Sequence, residues 1–97
     1  VTNTLTDTEF TQLGEQMKDV WNEAADDASV WNRFHGEMML RNMCVRWSLD
    51  GDGSVRLVLE EHESTLDAFR SAQQNDGSVA PVRAVGWGWT QKGWVAG

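Results

Sequence analysis

The sequence predicts an α+β fold in which helices cover one face of a small, mostly antiparallel sheet. Three observations predict it. Residues 43–61 hold two runs of alternating apolar and polar side chains around Asp50-Gly51-Asp52-Gly53, a strong hairpin signal. The segment before them repeats apolar residues at gaps of three and four, the spacing of one helix face. In the tail, Val85, Trp87 and Trp89 alternate with Gly86 and Gly88, as in a strand. The expected order is α-(α)-β-β-α-β-(β): one or two N-terminal helices, then a short central helix, on three or four strands. Residues 1–97 read as one domain with residues 1–5 loose, since no linker, repeat or low-complexity run divides them.

The first helix opens on Thr6-Asp7-Thr8-Glu9, a capping box. Phe10, Leu13, Met17, Val20, Trp21, Ala24, Ala28 and Trp31 then mark its apolar face. Gly14 costs about 1 kcal/mol relative to Ala without breaking the pattern. Asp26-Asp27-Ala28-Ser29 reads as the end of one helix and the cap of a second, which continues through Phe34, His35 and Met38. Helix should fade over residues 36–39, and the first strand should begin between Met38 and Arg41.

In the hairpin, Met43, Val45, Trp47 and Leu49 point one way, and Cys44, Arg46 and Ser48 the other. Val55, Leu57 and Leu59 likewise oppose Arg56, Val58 and Glu60. A hairpin alone is marginal in water, so its apolar face needs a cover. Leu13, Met17, Val20, Trp21 and Ala24 should pack on Val45, Trp47, Leu57 and Leu59. Residues 60–63 should carry charge out to solvent, with His62 on a solvated strand end. Ser64-Thr65-Leu66-Asp67 is a second cap signal, and Asn75-Asp76-Gly77 should end that helix. Pro81 belongs at a strand start or edge. Residues 90–93 should turn the third strand back so that Trp94 lies on a short fourth.

The net charge of -7 is uneven: residues 1–32 hold seven acids and one base, and residues 50–67 six acids and one base. Nucleic-acid binders need a clustered basic surface, so direct nucleic-acid binding is not expected. No stretch approaches the apolar length of a membrane span. Cys44 is the only cysteine, and the N-terminal residues lack a signal-peptide pattern. Both features set a cytoplasmic location as the expectation.

Asp50, Asp52, Ser54 and Glu61 match ligand positions of a calcium loop, but Val55 stands where that loop needs its glycine. His35, His62 and Cys44 fit no zinc spacing, and Gly86-Trp87-Gly88-Trp89 lacks the lysine and helix of a phosphate loop. The sequence therefore implies no metal, no cofactor and no enzyme.

Two features bear on function. Glu15, Asp19, Glu23 and Asp27 stand four apart on one helix face, with Asp26 alongside. Like charges at that spacing each cost a few tenths of a kcal/mol, so they suit a solvated face or a docking surface. Trp87, Trp89 and Trp94 form either core or an interface, with flat glycine backbone opposite. The reading is a small acidic protein-binding module of the inhibitor, immunity or phage-antagonist type, whose partner is a protein with a basic surface. Its competitors are a homodimeric accessory domain joined through the Trp-rich strand, and a small-ligand domain or minor enzyme with a pocket under the Trp cluster.

Overall fold

The computed structural model describes residues 5–74, 78–90 and 92–96; of Ala96 only the backbone is described. The fold is α+β, with the order α1 (Asp7–Ala24), α2 (Ala28–Met39), β1 (Met43–Leu49), β2 (Val55–Glu61), α3 (Thr65–Gln74), β3 (Arg83–Thr90) and β4 (Gly93–Ala96). The strands form one antiparallel sheet in the order β1-β2-β3-β4. No helix among the described residues is long and apolar enough to cross a membrane.

The capping box forms as its residue types dictate. Thr6 Oγ1 accepts from the Glu9 amide at 3.1 Å, and Glu9 Oε1 accepts from the Thr6 amide at 3.2 Å. Asp27 caps α2 by accepting from the Ser29 amide, so the helices break within the residues that carry the cap signal. The α2 helix ends at Met39, within the expected residues 36–39, but β1 starts at Met43 rather than between Met38 and Arg41. Asn42 makes the difference. It takes a positive φ of 62°, a conformation Asn tolerates, and so turns the chain from helix into strand.

The hairpin register pairs Met43 with Glu61 and Leu49 with Val55. Its loop closes through Gly53 N–H to the Asp50 carbonyl at 3.0 Å. Gly53 takes φ +87°, where a side chain is strained; Gly51 does not. Across all four strands the register puts Val45, Leu57, Val85, Trp87, Trp89 and Trp94 on the face that α1 and α2 cover. Phe10, Met17, Val20, Trp31, Phe34 and Met38 fill the space between. Leu57 is 0% exposed, worth about 1.5–3 kcal/mol of apolar transfer. Leu13, Trp21 and Ala24 pack at the margin of this core, as their helix face requires.

Trp47 departs from the expected core: 44% of it is exposed, because Trp21 meets only part of its ring and the small alanines of the α1–α2 junction leave the space beside it open. At Gly14 the helix lies close against the sheet. A Cβ there would lie 2.6 Å from Val85 Cγ1, so the glycine is what lets α1 seat on β3.

The strand end at residues 60–62 is also unlike its expectation. Glu60, Glu61 and His62 are buried. The short helix α3 folds onto the opposite sheet face, and Ser71 donates to Glu60 Oε1 at 2.7 Å. Arg46 Nε lies 3.5 Å from Glu60 Oε2, and Arg83 grips Glu61 through Nε and Nη2 at 3.0 and 3.3 Å. Both buried carboxylates thus gain a cation, which the bare run of charges did not reveal. Arg83 also donates to the Leu5 carbonyl and to Asp7, and stacks on Phe10, fastening the start of α1 to the sheet. Ser64 caps α3 through the Asp67 amide. The expected stop at Asn75-Asp76-Gly77 lies outside the described residues, as do residues 1–4 of the expected loose N-terminus. Pro81 falls in the connector two residues before β3.

Candidate functional site

Glu15, Asp19 and Glu23 lie on α1 opposite Phe10, Gly14, Met17 and Val20, which are buried. The same 3.6-residue period that seats the apolar face on the sheet therefore lifts these acids into solvent. All three are exposed, as are Asp26 and Asp27 in the turn to α2. Among the described residues, no ion pair joins any of these five to a base. Lys18 is the one base on α1, and it does not neutralise the stripe. Its Nζ sits 3.6 Å from the centre of the Trp87 ring, on the sheet side of the helix.

Asp27 differs from its neighbours. It accepts from the Ser29 amide at 3.0 Å and the Ser29 hydroxyl at 2.7 Å. These bonds hold its carboxyl below the usual carboxylate range. It remains charged, but its oxygens are engaged in capping α2.

Trp87, Trp89 and Trp94 are half-buried and pack against the core, with Trp89 paired across β3 and β4 with Trp94. They lie on the helix-covered face, so the fold does not gather them with the acidic stripe. Gly86 and Gly88 fall on the other face.

The other three tryptophans make a feature that the sequence did not single out. Trp21 of α1, Trp31 of α2 and Trp47 of β1 line an open apolar cleft of about 310 Å³. Trp21 meets Trp31 at 5.1 Å and 83°, and Trp47 at 5.8 Å and 47°. Ala24, Ala25 and Ala28 leave the space open, and Asn32 is the polar side chain on its wall. A signal was present: small residues fill the helix junction, and a tryptophan stands on the apolar pattern of each adjoining element.

No protein-family model, curated protein or solved structure matches this chain.

Cys44, Ser71, Glu60 and the hairpin-loop carboxylates are engaged in structure. Cys44 is 0% exposed, and burial pushes its thiol up to about 11, which leaves it protonated and unreactive at neutral pH. Ser71 donates to Glu60 rather than to a histidine, and His62 Nε2 lies 3.1 Å from the same Glu60 oxygen. Burial lowers the pKa of His35. In the hairpin loop the Ser54 hydroxyl donates to Asp52 at 2.6 Å and lies 3.0 Å from Asp50 Oδ2, so the would-be calcium ligands bond to each other. Among the described residues no group of three or more His, Cys, Asp or Glu is placed to hold a metal ion.

Proposed function

We propose that the chain is a small acidic protein-binding module, without catalytic activity, that engages a basic surface of another protein. An inhibitor, immunity protein or phage-type antagonist has this chemistry. The observation that carries the reading is the uncompensated ladder Glu15, Asp19 and Glu23, extended by Asp26. Repulsion along such a ladder opposes helix formation, by a few tenths of a kcal/mol per pair. Fixed exposed charge of one sign in return steers an oppositely charged protein into encounter.

The test is a comparative pull-down from the cells that make the protein. The bait is either the natural chain or Glu15→Gln/Asp19→Asn/Glu23→Gln/Asp26→Asn. Asp27 is kept because it caps α2. A basic partner should be retained by the natural chain near 0.05 M salt, and lost both from the variant and near 0.5 M salt. Equal recovery by both baits would refute the reading.

Self-association through the sheet edge is the second reading. It is favoured by Val95, which is exposed on the four-residue edge strand β4. A solution mass twice that of the chain, lost on Val95→Lys, would support it.

A further inference from the structure

We infer that the cleft between Trp21, Trp31 and Trp47 receives an arginine side chain from the basic partner; the inference rests on the protein-binding reading above. Three features lead there. The first is size: about 310 Å³ lies at the bottom of the range for ligand clefts, roughly 300–1,000 Å³, which suits one side chain rather than a large cofactor. The second is the shape of the walls. The indoles stand at 83° and 47° to one another, so no two of these walls are parallel and none forms a slot for a stacked aromatic ring. They instead surround one space with electron-rich rings, which attract a cation placed near their faces. The same sheet already holds a cation in this way, Lys18 on Trp87.

The third feature is charge complementarity. Asp26 and Asp27, in the turn between α1 and α2, are chain neighbours of the lining residues Ala25 and Ala28, and both are exposed. Arg33, beside Asn32, is one base against them. A cation entering here leaves water for the indole side chains, with the exposed Asp26 and Asp27 close by in the α1–α2 turn to balance its charge. Guanidinium fits better than ammonium. It is planar, more weakly hydrated, and stacks on aromatic faces, so desolvation costs it less. Its outer N–H groups also suit the Asn32 carbonyl and the exposed Asp26 carboxylate.

The experiment titrates acetyl-Gly-Arg-Gly-amide, and the same peptide with neutral citrulline for arginine, into the full chain. The assigned indole N–H signals of the six tryptophans are followed by NMR. The arginine peptide should shift Trp21, Trp31 and Trp47 saturably, with citrulline about 2- to 30-fold weaker, the span that cation–π attraction supplies from exposed to desolvated sites. Two variants guard against a folding artefact. Trp47→Leu removes a half-exposed wall, and Ala28→Leu fills the space from an exposed helix position. Each should keep the urea midpoint and lose the response. Equal affinity for citrulline, no saturable shift, or shifts confined to Trp87, Trp89 and Trp94 would each overturn the inference. The parent reading fails separately. A partner lost from the acid-stripped bait but bound unchanged by Trp47→Leu and Ala28→Leu would sink the cleft and keep the stripe. The arginine response without any salt-sensitive partner would do the reverse.

Discussion

Replacing Gly14 with Ala sets two known effects against each other. In a helix interior Ala is favoured over Gly by about 1 kcal/mol. Here the new methyl would sit 2.6 Å from Val85 Cγ1 and 3.4 Å from Val85 Cγ2. Carbon contacts are comfortable at roughly 3.5–4.0 Å, so the first is short by about 1 Å. Val85 cannot swing away easily, being β-branched and held in β3 between β2 and the core. Overpacking of this kind costs about 1–3 kcal/mol. The net expectation is that Gly14→Ala destabilises by about 1 kcal/mol, against its propensity. Trimming the neighbour should reverse the sign: in a Val85→Ala background the same change should stabilise by about 1 kcal/mol. Urea unfolding of the four proteins gives the cycle, with an expected coupling of about 1–3 kcal/mol. If Gly14→Ala stabilises the natural chain and couples to Val85 by nothing measurable, α1 does not seat on β3 as described.

Other parts of the structure give equally definite expectations. Leu57→Ala should cost about 2–5 kcal/mol in urea unfolding, because the side chain is wholly buried; a loss below about 1 kcal/mol would contradict that. Glu60→Ala strands Ser71 and Arg46 in the interior and should cost about 3–5 kcal/mol, whereas a neutral result would show the cluster to be solvated. In the hairpin loop, Gly53→Ala should cost about 1–2 kcal/mol for its positive φ, and Gly51→Ala less than about 0.5. Equal effects would refute the turn geometry. The raised Cys44 pKa makes folding favour the thiol, so its stabilisation is complete below the ordinary thiol value of 9.0 and falls as pH rises toward about 11. Cys44→Ala should remove that part of the alkaline decline in melting temperature.

Where the sequence was legible, local rules and tertiary packing agreed. Thr6 and Glu9, the alternation through residues 43–61 and the return at Trp94 each state their structure within a few residues. The misreadings occur where distant chain segments meet. Glu60, Glu61 and His62 look like a solvated charge run until α3 brings Ser71 to Glu60 and Arg46 and Arg83 arrive from other strands. Trp47 alternates like a core residue, yet the alanines of the helix junction are too small to cover it. The exposed stripe was legible from the helical period alone, since Glu15, Asp19 and Glu23 fall opposite the buried face. The cap at residues 26–29 was legible too, whereas the role of Lys18 as a cation on Trp87 needed coordinates.

The most direct test of the acidic face measures two quantities on one pair of proteins. These are the unfolding free energy and the association rate with the recovered basic partner across ionic strength, for the natural chain and the Glu15→Gln/Asp19→Asn/Glu23→Gln/Asp26→Asn variant. The variant should be as stable as the natural chain or slightly more so, because its like-charge pairs are gone. It should associate at least about 10-fold more slowly at low salt, and its rate should depend less on salt. A variant that associates at the natural rate at low salt would contradict the account, and leave the ladder as nothing more than a solvated helix face.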